Sequence, residues 1–345
     1  MAFHTRGRRR VKIGFSLWAN GDPDEPTARQ RGIRIADELL KQGHEVGFFT
    51  PGGKSSLNTK IRDRYSEGPF DALIIQRCTS LELTEYSKKF TDCLILDAND
   101  SIFDSRDPRG NEYVDMLKLY DKITTCSIHL KDKLSQYHDN IFYWPEAIDA
   151  VYLDTNSSYS KNTKNITIVW MGLHDNLAWF ERSPIRWILD DVAKKISLKW
   201  IIASPMMSSS GRINAQWAKD ILPGEVEHHI WKIDEVADLM AQGDMAVIPL
   251  EQSDWTWCKS CNKAASFMSL GVPVIAENTP AHRGIIVHEK NGMLCYQAED
   301  WYNSILKLAS KPKMRKAIGI SGQEHARKTY NPTAIAEELI HIIRG

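Results

Sequence analysis

The chain has 345 residues, enough for two domains, because a single hydrophobic core stops growing near roughly 250–300 residues. Its 42% hydrophobic and 26% charged residues are ordinary for a soluble globular enzyme. The 44 Lys and Arg residues balance the 44 Asp and Glu residues, so the formal net charge is zero. That balance argues against a broad nucleic-acid-binding surface, which is usually strongly basic.

The N-terminus is locally basic, with the cations Arg6, Arg8, Arg9, Arg10 and Lys12. A basic tail is attracted to anionic lipid by about 1 kcal/mol per cation. One expectation is therefore a weak peripheral contact with the inner face of a membrane, and the alternative is a solvated arm. No apolar run approaches the eighteen or so residues that span a bilayer, and no signal-peptide core is present. These features predict a cytoplasmic protein.

The first half of the chain alternates short apolar runs with amphipathic segments. Six runs read as strands: Val11–Leu17, Glu45–Thr50, Ala72–Gln76, Cys93–Asp97, Lys122–Cys126 and Ile141–Trp144. Between the first two, apolar residues recur at helical spacing from 33 to 40, and Gly43 ends the helix. Repeated strand–helix–strand units predict a parallel sheet with covered faces.

A polar stretch rich in Ser and Asn, 154–165, then interrupts the pattern and predicts a surface linker. Six further runs read as strands: Ile166–Met171, Leu198–Ala203, Val226–Trp231, Met245–Leu250, Val272–Ala276 and Met293–Tyr296. Helices are expected at 178–194, 234–241, 260–269, 298–309 and 312–329, and a last one from Pro332 to about residue 343.

The prediction is an α/β protein with two doubly wound, Rossmann-like domains. The first spans 1–153 and the second 166–330, with the linker 154–165 between them. The remaining residues, 331–345, form a terminal helix.

The segment from Lys259 to Ala276 reads as a loop, a short helix, a Gly turn and a buried strand. The loop leaves the carboxyl end of the strand Met245–Leu250, which is where open α/β sheets bind ligands. A helix start offers free N–H groups and the positive end of the helix dipole. Together these features predict a phosphate-bearing ligand between residues 251 and 263.

The same helix is followed by Leu-Gly-Val-Pro-Val-Ile-Ala at 270–276 and, about twenty residues on, by His-Glu-Lys-Asn-Gly-Met-Leu-Cys-Tyr at 288–296. This arrangement resembles the donor-binding half of GT-B glycosyltransferases, and in particular family 4, which uses nucleotide-sugars. Members carry a pair of Glu residues eight positions apart, and those two places hold Cys258 and Ser266 here. The resemblance implies two domains with a cleft between them and C-terminal helices that pack back on the first domain.

The resemblance also implies a donor site. Departure of the diphosphate leaves negative charge, which cations and N–H groups should meet. The expected diphosphate-binding residues are Lys259, Asn262, Lys263, Gly172 and His174. The expected base- or sugar-binding residues are Ser204, Trp231, Glu251 and Ser266. The alternative is that the lysines are solvated and that the turn after residue 171 is a simple helix cap.

The first domain should face the acceptor. Asp97, Asp100 and Asp104 follow a strand end, where acids accept a proton from a hydroxyl group or bind a divalent cation. We predict catalytic roles for Asp97 and Asp100 and an acceptor-side role for Asp104, with turn and capping roles as the alternative. The resemblance implies that no metal and no other cofactor is needed. The expected acceptor-side cations are Arg29, Arg31 and Arg77.

The predicted function is a hexosyltransferase-like glycosyltransferase that moves a sugar from a nucleotide-diphosphate sugar to a glycan, lipid-linked or other hydroxyl acceptor. Polysaccharide biosynthesis is the expected context, and family analogy alone favours retention at the anomeric carbon. The absent Glu pair leaves a second class open, a catalytically silent scaffold or nucleotide-sugar-binding partner. A sugar-nucleotide epimerase shares the two-domain architecture, and a DNA-modifying transferase is disfavoured by the neutral charge. No nucleic-acid partner is expected.

Overall fold

The computed structural model describes residues 10–101, 110–173, 175–183 and 185–345. The chain forms two compact units. The first is built from Met1–Ala147, Cys258–Ser260 and Pro332–Gly345, and the second from Ile148–Trp257 and Cys261–Asn331. Nowhere in the described ranges is a helix both long enough and apolar enough to cross a membrane.

The first unit contains a parallel sheet in the order β2-β1-β3-β4-β5-β6. Its strands are β1 Lys12–Ser16, β2 Glu45–Phe48, β3 Ala72–Gln76, β4 Leu94–Asp97, β5 Lys122–Thr125 and β6 Ile141–Tyr143. All six runs predicted as strands are confirmed, each within two residues at its ends.

The helices of the first unit are α1 Pro26–Ala28, α2 Arg34–Lys41, α3 Leu81–Ser87, α4 Gly110–Leu117 and α5 Ile128–Leu134. One π-helical turn, Arg29–Ile33, joins α1 to α2, and short 3-10 turns lie at Trp18–Gly21, Lys54–Ser56, Arg62–Arg64 and Lys88–Phe90. Ser80 caps α3 and Ser127 caps α5, each by accepting a hydrogen bond from a backbone N–H in the first helical turn.

The C-terminal helix, Pro332–Arg344, completes the first unit by packing against α2. Trp144 Nε1 donates to the Ile335 carbonyl at 2.9 Å. Lys122 Nζ donates to the carbonyls of Ile342 and Ile343, which lie in the last helical turn and lack intrahelical partners. An ammonium at this end also complements the helix dipole.

The second unit contains a parallel sheet in the order β12-β11-β10-β7-β8-β9. Its strands are β7 Asn165–Met171, β8 Ser197–Ser204, β9 Glu225–Ile230, β10 Met245–Ile248, β11 Val274–Glu277 and β12 Met293–Cys295. Along β7 the side chains of Ile168 and Trp170 enter one apolar cluster, and those of Val169 and Met171 enter another. Both faces of this sheet are therefore covered, as expected for parallel strands.

The helices of the second unit are α6 Ala150–Asp154, α7 Ala178–Arg182, α8 Ile185–Ala193, α9 Asn214–Ile221, α10 Val236–Met240, α11 Asp254–Trp257, α12 Asn262–Ser269, α13 Pro280–Ile285, α14 Ala298–Ser310 and α15 Pro312–Thr329. The single helix predicted over 178–194 is wrong: Ser183 is extended and separates α7 from α8. Ser183 precedes a proline in the sequence, and that position disfavours helical backbone.

Two glycines bring α15 close to the turn that follows α12. A Cβ built on Gly319 would lie 2.2 Å from the Gly271 carbonyl oxygen. Gly271 itself has φ +83°, a left-handed backbone conformation that favours glycine. The Gly of the predicted Gly-Val-Pro-Val turn is thus needed for its backbone, and Gly319 is needed for the close packing of α15 against it.

We expect Gly319→Ala to destabilise the protein by about 1–3 kcal/mol, because the added methyl group meets backbone that cannot swing away. Chemical denaturation measures this change. The matched control is Gly284→Ala in α13, where a built Cβ has no described heavy atom within 4 Å. Alanine there should be neutral or stabilise by up to about 1 kcal/mol, through helix propensity. Equal midpoints for the two variants would contradict the proposed close packing.

Candidate functional site

The carboxyl ends of β1, β3, β4 and β5 lie side by side at one edge of the first sheet, and polar side chains gather there. Arg31 and Asp97 form a fully buried ion pair at this edge. The Arg31 Nε donates to both carboxylate oxygens, at 3.1 and 2.9 Å, and its Nη1 donates to the Trp144 carbonyl at 2.6 Å. Burial lowers the pKa of Arg31, but Asp97 outweighs burial and holds the pKa above its usual value.

The position of Asp97 has a consequence for its predicted catalytic role. Both of its oxygens accept hydrogen bonds from Arg31, and the Thr124 hydroxyl donates to Oδ1 at 3.0 Å. A carboxylate held in this way anchors the strand ends, and its oxygens are already occupied by donors from the chain. The geometry therefore favours Asp100 over Asp97 as the acid that meets a substrate. Arg31 is likewise enclosed, away from any position on the surface.

Asp100 is about one-third exposed and lies between two cations of the same unit. Its Oδ2 is 3.1 Å from Arg77 Nη2, and its Oδ1 is 3.6 Å from Lys259 Nζ. The Arg77 guanidinium also stacks on the Trp18 ring at 4.5 Å. Arg77 has φ +51°, a strained value for a residue with a side chain, and such strain clusters at functional sites.

Glu146 is a member of this group that sequence reasoning missed. Burial raises the pKa of Glu146; Arg31 and a hydrogen bond from Ser260 act in the opposite direction, while Asp100 and Asp97 add to the rise. Its Oε2 is buried and finds no hydrogen-bond partner in the described parts of the chain. The available signal was its place in the sequence, three residues after β6 ends.

The remaining acceptor-side predictions divide into two kinds. The Arg29 guanidinium donates to the carbonyls of Pro23 and Asp24 at 2.9 and 3.2 Å, so it supports the loop after β1. Asp104 lies outside the described residues, and so does His174 of the second unit.

Within the ranges that are described, no three His, Cys, Asp or Glu side chains are placed to hold a metal ion. The absence of a cofactor stays a prediction.

In the second unit, two of the residues predicted to bind diphosphate meet around Trp170. Lys263, in the first turn of α12, places its Nζ 5.0 Å from the centre of the Trp170 ring. Gly172 follows β7, and a Cβ at this position would lie 2.4 Å from the same ring. Glycine is therefore required there, and the backbone runs close to the indole beside the lysine. Asn262 Oδ1 accepts a hydrogen bond from Ser266 at 3.4 Å, which links two further predicted residues.

The predicted base-binding residues lie at the ends of β8 and β9. The Trp231 backbone N–H donates to the Ser204 carbonyl at 3.1 Å, and the Ser204 hydroxyl is 2.9 Å from His228 Nε2. Burial lowers the pKa of His228, and His229 adds to that effect. Glu251, after β10, is exposed and lies 3.8 Å from Arg182. Lys259 belongs to the first unit, where it pairs with Asp100.

Glu277, the last residue of β11, is a buried carboxyl group that the sequence analysis missed. It is only 4% exposed. Its Oε1 accepts a hydrogen bond from Gln252 Nε2 at 2.8 Å, and Gln252 Oε1 accepts one from Trp257 Nε1 at 2.9 Å. Burial raises the pKa of Glu277 to about 6, although the Gln252 hydrogen bond and the Leu250 backbone act in the opposite direction.

His282 is a second buried titratable group near this edge. Its Nδ1 is 2.7 Å from the Glu277 carbonyl, which fixes Nδ1 as the protonated nitrogen. Burial lowers the pKa of His282 to about 4, the hydrogen bond to the Glu277 backbone opposes this, and the Lys263 charge lowers the pKa further. His282 is therefore neutral at neutral pH, and the helices α12 and α13 are in contact here.

Comparison with known proteins finds a family likeness in the second unit. Residues 166–311 match the family model described as Glycosyl transferases group 1. The matched range runs from β7 to α14 and contains Gly172, Lys263 and Glu277. This part of the second unit is thus similar to a glycosyl transferases group 1 domain, and the expected resemblance to GT-B glycosyltransferases is confirmed as a divergent one.

Solved structures extend the likeness to nearly the whole chain. A glycosyltransferase from Rickettsia africae ESF-5 has a TM-score of 0.71 at 14% identity, with 98% of each chain covered. Anabaena HepE in complex with UDP has a TM-score of 0.69 at 13% identity, covering 97% of this chain and 99% of that one. TarM has a TM-score of 0.59 at 14% identity, and the match covers 79% of this chain but only 55% of TarM. The expected fold of two Rossmann-like domains is confirmed.

We expect Asp97→Asn to cost about 3–5 kcal/mol of unfolding free energy, because it leaves the Arg31 cation buried without its counter-charge. Asp100→Asn removes a partly exposed carboxylate and should change stability by at most about 1 kcal/mol. Urea denaturation of both variants makes the comparison. A well-folded Asp97→Asn protein with wild-type stability would return Asp97 to the catalytic candidates.

We expect Glu277→Gln to remove a pH dependence of stability. The pKa of Glu277 is about 6 in the folded chain against an ordinary 4.5, so the unfolded chain loses this proton first as pH rises. As the pH rises from 4.5 to 6, the free energy of unfolding of the wild-type protein therefore falls by about 2 kcal/mol, at about 1.4 kcal/mol per pKa unit. The stability of the variant relative to wild type should rise by that amount between pH 4 and pH 7. If the difference in unfolding free energy between variant and wild type is constant across this range, burial does not raise the pKa of Glu277.

Proposed function

We propose that the protein transfers a sugar from a nucleoside diphosphate sugar to a hydroxyl acceptor. The observation that carries this proposal is the carboxyl edge of the second sheet. There Lys263, Gly172 and Glu277 gather within the segment that matches the glycosyl transferases group 1 model. Ligands of open α/β sheets bind at this edge. The structures of HepE with UDP and with UDP-glucose support a uridine nucleotide as the first donor to test.

The donor half of the reaction rests on the start of α12. As the bond between the anomeric carbon and the diphosphate breaks, negative charge develops on the leaving oxygen, and preorganised cations and N–H groups stabilise it. Lys263 supplies the cation, and its stacking on Trp170 limits the positions of its ammonium group. The backbone at Gly172 packs against the same indole, which places its turn and Lys263 at one side chain. The predicted role of Lys259 at the diphosphate is weaker, since Lys259 pairs with Asp100.

The acceptor half rests on the first unit. An acceptor hydroxyl must lose its proton as it attacks, and a carboxylate within hydrogen-bond reach accepts that proton. Asp100 is partly exposed, and its two carboxylate oxygens contact different cations, Arg77 and Lys259. Glu146, whose pKa is raised, is the second carboxyl group at this edge. We assign the proton to Asp100 and a positioning role to Glu146. A glycan or lipid-linked acceptor, retention and independence of metal are parts of the same proposal.

A second candidate is a catalytically silent protein that binds a nucleotide-sugar. Cys258 and Ser266 hold the two places where family 4 members carry Glu, and this observation motivates it. Donor binding without turnover on any acceptor would support this candidate. A basic N-terminal contact with membranes is a separate proposal, which co-sedimentation with anionic vesicles tests.

The first experiment is a thermal-shift panel of UDP, GDP, ADP and CDP with wild type and Lys263→Ala. A ligand at a hundredfold excess over its dissociation constant adds about 2.7 kcal/mol, which should raise the midpoint by several degrees. We expect one base to give this shift. Loss of a charge-assisted hydrogen bond, worth about 1.5–3 kcal/mol, should weaken binding by roughly 10- to 150-fold in Lys263→Ala.

The control is Lys194→Ala, which removes an exposed lysine paired with Asp191 at the end of α8. Each variant is compared with its own ligand-free midpoint. A full shift in Lys194→Ala and a lost shift in Lys263→Ala assigns the diphosphate to the start of α12. Equal shifts in both variants contradict that assignment, and the absence of any shift in wild type contradicts the transferase.

A further inference from the structure

We propose that Glu277 binds hydroxyl groups of the donor sugar and so determines which sugar the protein accepts, with Gln252 and Trp257 holding it in position. This inference rests on the proposed function and concerns the sugar part of the same donor site. Glu277 has no predicted role from the sequence, whereas Gln252 and Trp257 lie in the range 251–263 where a phosphate-bearing ligand is expected.

The order of strands in the second sheet places the sugar. Ser204 and Trp231, expected at the base, lie at the ends of β8 and β9. Gly172 and Trp170, with Lys263 beside them, lie at the end of β7, which is the next strand. β10 and then β11 follow in the same direction. Three strand spacings from β8 to β11 amount to roughly 14 Å. A donor laid along this edge as base, diphosphate and sugar therefore brings its sugar to the ends of β10 and β11.

Glu277 ends β11 at that position, and its surroundings leave one oxygen unused. Oε1 accepts a hydrogen bond from Gln252, and the Leu250 backbone N–H also acts on the carboxyl group. Oε2 is buried and makes no hydrogen bond of good geometry to any described residue. A buried carboxylate without a full set of donors is costly, and buried polar groups in native proteins are nearly always hydrogen-bonded. A residue kept at such cost is explained by a ligand that supplies the missing donor.

Gln252 and Trp257 fix the orientation of the carboxylate. The Trp257 indole N–H donates to Gln252 Oε1, which leaves only the amide NH₂ of Gln252 to face Glu277. The amide therefore cannot turn its oxygen toward the carboxylate. Because Oε2 is buried in this structure, a sugar hydroxyl reaches it only after neighbouring groups move, while Gln252 stays hydrogen-bonded to Oε1.

The chemistry of the ligand follows from the acceptor it must satisfy. A carboxylate oxygen accepts hydrogen bonds, so the group that meets it must carry a donor. Sugar hydroxyls supply such donors, and a donor that lacks or misplaces the hydroxyl leaves the carboxylate unpaired. Sites built around a hydrogen bond to a substrate hydroxyl reject analogues that lack it far more strongly than apolar pockets reject a change of size.

The test compares UDP with UDP-glucose and UDP-galactose, by calorimetry at pH 5.0 and 7.5, for wild type and Glu277→Gln. We expect equal UDP affinity in the two proteins at both pH values. At pH 7.5 the variant should bind the preferred UDP-sugar at least tenfold more weakly than wild type. At pH 5.0 the wild-type carboxyl is mostly protonated, since its pKa is about 6, so the wild-type advantage should shrink by about tenfold. At each pH we compare the dissociation constants of the variant and the wild type for the same ligand. Titration of the nucleotide affects both constants equally and so does not change their ratio.

Two results overturn the proposal while the transferase stands. In the first, Glu277→Gln weakens the binding of UDP and of UDP-sugars equally, which assigns Glu277 to the nucleotide. In the second, the substitution leaves both affinities unchanged. If wild type binds none of the three ligands, the nucleotide assignment itself fails, and the sugar assignment fails with it. Trp257→Phe removes the indole N–H that orients Gln252 and keeps an aromatic ring at this position. It should reduce the preference between UDP-glucose and UDP-galactose while leaving UDP affinity unchanged, which loss of structure alone would not do.

Discussion

The strands of both sheets pair in parallel, and this single constraint brings the functional groups of the chain together. Every strand in a parallel sheet has its carboxyl end at the same edge, so residues far apart in sequence become neighbours there. Asp97, Asp100 and Arg77 meet in this way in the first unit. Gly172, Gln252 and Glu277 follow three adjacent strands in the second unit. Each unit thus presents one polar edge on an otherwise apolar sheet.

Asp97 and Glu277 are both buried carboxyl groups at these edges, but their electrostatic surroundings differ. Asp97 has a guanidinium against both of its oxygens, so burial is compensated and the group acts as a structural anchor. Glu277 has a neutral amide and an unused oxygen. The presence of a charged partner distinguishes a buried acid that stabilises the fold from one that we propose binds a ligand. Burial alone does not make this distinction. Asp100, which shares two cations and remains partly exposed, lies between these extremes.

The sequence predicted the architecture well because apolar runs of four to seven residues mark strands directly. The same reasoning located Lys263 and Gly172, since a loop leaving a strand end and a glycine turn are visible locally. It could not find the Arg31–Asp97 pair, because its members are 66 residues apart and each on its own resembles a residue that faces a substrate. Glu277 was missed because it continues the run Val-Ile-Ala and resembles a strand terminus. The break between α7 and α8 was missed although a proline signalled it, because the apolar spacing continues across it.

The cysteines give the two units separate chemical reporters. All six thiols are free, and all but Cys93 are buried. Four of them, Cys78, Cys93, Cys126 and Cys258, belong to the first unit, and Cys261 and Cys295 belong to the second. A buried thiol reacts with a labelling reagent only when its surroundings open. The rate at which each cysteine is modified therefore records the opening of its own unit, so one labelling experiment distinguishes local loosening of either sheet from unfolding of the whole chain.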